Sequence, residues 1–159
     1  MSPSRRVSCC LLVGVTLVGC SSGSVTPDAT QCSVLSGAAI ESDTGLSAND
    51  GIIFEHEESG DGIWCLYEVN GARIELQFHP ADRATFDARR EAAGREGAEL
   101  VEFEDIGDAA FFGSNGIPNT TVFVDGNLLV VQSLDAVSEG AQLLTSSVAR
   151  AAAGRCCPD

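Results

Sequence analysis

Strict alternation of apolar and polar positions marks the middle of the chain. Over residues 72–79, Ile74, Leu76 and Phe78 alternate with Arg73, Glu75 and Gln77, the period of a strand with one buried and one wet face. Residues 63–69 form a second strand on the other side of Asn70-Gly71, a dipeptide that favours a two-residue hairpin turn. That turn sets Tyr67 opposite Ile74 and Cys65 opposite Leu76, so Cys65 faces the core. Asp125-Gly126 repeats the device between strands at 119–124 and 127–133. Leu128 to Val131 are apolar without interruption, as expected of a central strand covered on both faces. Shorter strands are predicted at 52–56, 99–103 and 109–112.

Helical periodicity appears in three places. Thr26 as N-cap and Pro27 in the first turn predict a first helix that carries Cys32, Val34 and Leu35. It should end near Gly37 or Ile40, with a loop over 41–50. A second helix is predicted over 81–93, closed by Gly94, with Ala81, Ala84, Ala88 and Ala92 in a stripe and Phe86 off it. A third runs over 137–153, where Val137, Ala141, Leu144, Val148 and Ala151 step by three and four. Hairpin, helix and Gly-Arg (Gly94-Arg95, Gly154-Arg155) recur in the same order, as a duplicated ββα unit would. Together the elements predict an α+β domain, an antiparallel sheet built from hairpins with helices packed on it.

The start of the chain follows another pattern. An apolar run over 7–18 follows Arg5-Arg6 and falls short of a membrane span, which fits a secretory signal. It closes on Leu17-Val18-Gly19-Cys20, which resembles the bacterial lipobox. That resemblance implies a signal over 1–19, lipidation of Cys20 and a tether over 20–26, with a single domain over 27–159. The mature protein would lie on the extracytoplasmic side of the cell membrane, held by acyl chains.

Charge narrows the partners. All nine basic residues are arginine, and the formal charge of −14 becomes −16 once Arg5 and Arg6 leave with the signal. Such a surface repels phosphate backbones and anionic headgroups, which excludes nucleic acid and leaves the acyl anchor to hold the membrane unaided. Hydrophobic residues at 44% in strand-like runs argue for a folded core over a charged, disordered chain.

Seven cysteines become four once Cys9, Cys10 and the anchor Cys20 are set aside, and four thiols permit three full pairings. A core-facing Cys65 meeting a helix on that face favours Cys32–Cys65. Cys156 and Cys157 are neighbours whose pairing stays open among an intermolecular disulfide, a soft metal ion and redox cycling.

No reaction is legible. His56, Glu57, Glu58 and Asp61 match no metal-ligand spacing, His79 reads as a surface residue at a strand end, and no nucleophile elbow is present. The chain therefore reads as a binding protein with no cofactor rather than an enzyme. Trp64, on the face opposite Cys65, with Phe111 and Phe112, forms the candidate binding patch. Two binding roles follow: docking to an envelope protein, or holding an apolar ligand or cation as a small carrier or sensor.

The lipobox, Cys32, the strand Cys65-Leu66-Tyr67 and the segment Ile106-Gly107-Asp108-Ala109-Ala110-Phe111 occur together. In this combination the chain resembles the small envelope lipoproteins of actinobacteria, some of which have PsbP-like α/β sandwich folds. The resemblance implies that fold and no established catalytic residues.

Overall fold

Two hairpins lie side by side at the centre of the molecule. The computed structural model describes residues 32, 35–53, 62–114, 116–135 and 138–156. Strands β2 (Ile63–Val69) and β3 (Ala72–Pro80) join through Asn70-Gly71, and β6 (Asn119–Val124) and β7 (Asn127–Ser133) through Asp125-Gly126. All four turn residues have positive φ, 54° and 81° in one turn and 46° and 72° in the other. These turns twist with the strands they join. The register is the one the Asn-Gly turn predicts, with Tyr67 opposite Ile74 and Cys65 opposite Leu76.

The hairpins meet through β3 and β7, from Ile74 opposite Ser133 to Pro80 opposite Asn127. Strand β1 (Ile52–Ile53) extends one side, and β5 (Ala109–Gly113) and β4 (Leu100–Phe103) extend the other. The result is a seven-stranded antiparallel sheet in the order β1-β2-β3-β7-β6-β5-β4. With three helices, it makes the chain an α+β protein. Strand β7 lies inside the sheet, and Leu128 to Val131 are buried on both of its faces, as their unbroken apolar run requires.

Helices α1 (Gly37–Thr44) and α3 (Ser138–Cys156) cover one face. There Cys65, Tyr67, Ile74, Leu76, Val122, Leu129 and Val131 form the main core with Ile40, Val148 and Ala152. Helix α2 (Arg83–Arg95) covers part of the other face, where Phe86 packs with Phe111, Leu128 and Val130. The repeated hairpin-helix order is therefore not a structural repeat, because the two helices land on opposite faces.

Two helices differ from expectation. Thr26, Pro27 and Val34 of the expected first helix lie outside the described residues, Cys32 and Leu35 are non-helical, and the first described helix starts at Gly37. Ser36 is its N-cap, accepting from the Ala39 N–H, and Gly45 closes it in the left-handed region at φ 70°. Residues 41–44 of the predicted loop 41–50 are therefore helical, while Cys32 sits in non-helical chain whose N–H donates to the Gly51 carbonyl. Gly37 looks like a stop but is needed inside the helix. A Cβ there would lie about 2.5 Å from the Asn49 carbonyl.

Helix α2 uses a different face from the alanine stripe. Ala84 and Ala88 are exposed, and Phe86 is the residue it buries. A single phenyl ring offers more apolar area than several methyl groups, so the ring sets the rotation of the helix. Asp82 caps it, accepting from the Thr85 N–H at 2.8 Å and its hydroxyl at 2.7 Å.

Candidate functional site

Strand β2 places Cys65 on the core face, and the structure joins it to Cys32 with the Cα atoms 5.9 Å apart. Both residues are buried. The pairing expected from sequence is present, but Cys32 itself is non-helical. The segment is held instead by backbone pairing to Gly51 and by the Tyr67 hydroxyl, which donates to the Leu35 carbonyl at 2.8 Å. Cys156 is the last residue of α3. Cys20, Cys157, His56, Glu57, Glu58 and Asp61 lie outside the described residues.

The candidate patch of Trp64, Phe111 and Phe112 does not assemble. Neighbours along a strand point to opposite faces, and β5 is covered on both. Phe111 turns under α2, its ring 5.5 Å from that of Phe86 in an edge-on arrangement, and Phe112 turns to the other face. Both are buried, at 1% and 4% exposure. Trp64 is half-buried on the α2 side of the sheet with Leu66, separated from β5 by β3, β7 and β6.

Sequence reasoning missed a polar belt on that same side. Glu75 and Gln77 read as a wet face, yet both are buried on β3, an interior strand. Gln77 and Gln132 each donate from Nε2 to Glu75 Oε1, at 2.7 and 2.6 Å. Asn119 pairs across from Gln132, and Thr121 across from Val130, whose other neighbour is Gln77. The belt thus runs over β3, β7 and β6. Thr121 donates to Asn119 Oδ1 at 3.1 Å, and Asn119 Nδ2 donates to the Ile117 carbonyl at the same distance. Polar residues at alternate positions of three strands were the signal. Strand order, which sequence did not supply, was needed to align them.

Where the belt meets α2 there is an open cleft of about 220 Å³, walled by Arg89, Ala92, Ala93 and Glu96 of the helix region and by Phe111, Asn119 and Thr121 of the sheet. Arg89 is exposed by area, but the surrounding protein desolvates its guanidinium and lowers its pKa. On β3, burial and then the positive charge of Arg89 hold the half-buried His79 imidazole below its usual value. A second open cleft of about 330 Å³ is bordered by Asp105, Asp108, Asp125 and Arg150. Its carboxylates are already engaged in part. Arg150 pairs with Asp105 at 2.9 Å, and Asp108 accepts from the Asp125 N–H at 3.0 Å.

Among the described residues no three His, Cys, Asp or Glu side chains are placed to hold a metal ion. None of the described helices is long and apolar enough to cross a membrane. Comparison with protein-family models, curated proteins and solved structures gives no match to this chain.

Proposed function

We propose that this chain is a lipid-anchored, extracytoplasmic binding module of the cell envelope, built on a PsbP-like sandwich, and that it acts without catalysis. The observation that carries the binding role is the cleft between α2 and the sheet, where charged and hydrogen-bonding side chains converge on open volume. A buried Cys32–Cys65 bridge supports the location, since such bonds persist in oxidising compartments. The lipobox supports the anchor, and the sheet order with helices on both faces supports the sandwich.

Within that reading, ligand recognition at the cleft fits better than docking through an apolar patch. Among the described residues, the large apolar side chains that stand exposed, Ile52, Ile117, Leu134 and Leu143, lie on β1, the β5–β6 connection, the end of β7 and α3. They are spread over separate elements. An apolar carrier is less well supported, because both clefts are open and bordered by charged groups.

Cell fractionation of Cys20→Ala tests the anchor. The variant should leave the membrane fraction or keep residues 1–19. A cleaved Cys20→Ala protein that stays with the membrane contradicts the proposal.

A further inference from the structure

In a chain of net charge −14, an arginine without an acidic partner is unusual. Arg73, Arg83, Arg90, Arg95, Arg150 and Arg155 each pair with an Asp or Glu. Among the described residues Arg89 is the one arginine with no such partner, and it lines the cleft between α2 and the sheet. Its neighbour on the same helix, Arg90, reaches Glu102 on β4 at 3.0 Å, so carboxylates are within reach of this helix and Arg89 is left to face the cleft.

We propose that this cleft binds the carboxylate of a small acid with a short apolar body, with Arg89 as the charge that holds it. The inference rests on the binding reading above and names its ligand chemistry. A guanidinium presents a planar fork that matches a carboxylate with two parallel hydrogen bonds. On the sheet side, the Thr121 hydroxyl and one Asn119 N–H are already donated within the protein. Arg89 is therefore the principal donor to a ligand. Beyond it, Ala92, Ala93, Ala98 and Phe111 offer an apolar wall. Glu96 borders the same cleft, and together with the acidic surface it disfavours phosphate or any polyanion. One negative charge suits the site better than two. About 220 Å³ is the room of roughly seven waters, enough for a short branched acid or for the last residue of a peptide.

The test uses the mature protein in detergent, with isovalerate and N-acetyl-glycyl-valine as acids and their amides as neutral controls. Binding is followed by NMR on cleft resonances and on the His79 imidazole. Both acids should shift Ala92, Ala98 and Thr121, and the amides should not. Arg89→Gln should weaken the acids about ten- to a hundredfold, while Arg90→Gln should leave them unchanged. Arg89 is the charged group acting on His79, so a bound carboxylate should raise the His79 midpoint. In Arg89→Gln the midpoint should already be raised and should not respond to ligand.

Tighter binding of the peptide acid assigns the site to chain termini, and tighter binding of isovalerate assigns it to free acids. Either order upholds the proposal. Equal binding of acids and amides in the cleft overturns the carboxylate assignment and leaves the binding-module reading standing. No shift at any cleft resonance with millimolar acid overturns the proposal, and the binding-module reading keeps its own test.

Discussion

Reducing the Cys32–Cys65 bridge removes a tie across 33 residues of chain, and its cost can be worked from that separation. In the chain-entropy account, closing a loop of this length restricts the unfolded ensemble by about 3.7 kcal/mol at 25 °C. For a domain of this size that corresponds to a fall in Tm of about 10–15 °C. Both cysteines are nearly inaccessible, Cys65 at 0% and Cys32 at 5% exposure, so a reductant should act only when the chain opens. The assay is urea unfolding monitored by Trp64 fluorescence, with oxidised protein, protein reduced while unfolded, and Cys32→Ala/Cys65→Ala. The reduced protein should lose stability close to the entropic figure. The double variant should lose somewhat more, because it also removes two buried sulfur atoms from the core. Oxidised and reduced forms unfolding at the same midpoint, or two thiols titrating at these positions in the denatured, non-reduced protein, would refute the reasoning.

Three other perturbations have definite signs. Gly37→Ala should lower Tm, although alanine normally stabilises a helix interior by about 1 kcal/mol over glycine, because the new Cβ meets the Asn49 backbone, which cannot rotate away. A rise in Tm on thermal melting would contradict that close approach. Tyr67→Phe should cost about 1–2 kcal/mol in denaturant titration, since it leaves the Leu35 carbonyl without its buried donor. The third is a pH effect. The hydrogen bond and charge of Arg73 lower the Asp135 pKa from 3.8 to about 2. A depressed carboxyl pKa contributes stability above the unfolded value and loses it as pH falls through the folded one, so this pair should weaken between about pH 4 and pH 2. Asp135 titration by NMR should return toward its ordinary value in Arg73→Gln.

The parts of the fold that are local in sequence were the legible ones. Asn70-Gly71 and Asp125-Gly126 announce their turns because few other residues adopt positive φ readily, and a two-residue turn leaves one register for the strands beside it. The third helix was legible because Ala141, Val148 and Ala151 repeat at helical spacing and are buried as predicted. Helix α1 was not. It has little apolar stripe to detect, its N-cap Ser36 is followed by a glycine, and that glycine is present for the sake of Asn49, a residue distant in sequence. Phe86 was misjudged for a related reason. Which side of α2 is buried depends on Phe111 and Leu128, contributed by strands that no local pattern places beneath it.

The candidate site shows the same division. Cys65 could be assigned to the core face from its register, and Cys32 followed as its partner. The cleft could not be read, because Arg89, Asn119 and Thr121 come together only once β6 lies next to β7 and α2 crosses that side of the sheet. Nor does Arg89 stand out in sequence from Arg90 beside it. The two are distinguished by where they point, one to Glu102 and the other to the cleft. Phe111-Phe112 looked like a patch because adjacent aromatics read as one surface in sequence, whereas a strand sends them to opposite sides.

The most direct test of the membrane-anchored binding module is the intact mass of the protein extracted from its own membrane, non-reduced, under native and then denaturing conditions. The account predicts a denatured chain that begins at Cys20, carries diacylglyceryl and lacks the two hydrogens of the Cys32–Cys65 thiols, with extra mass under native conditions that is lost on denaturation. A chain that retains residues 1–19, or one that begins at Cys20 without acyl mass, would contradict it.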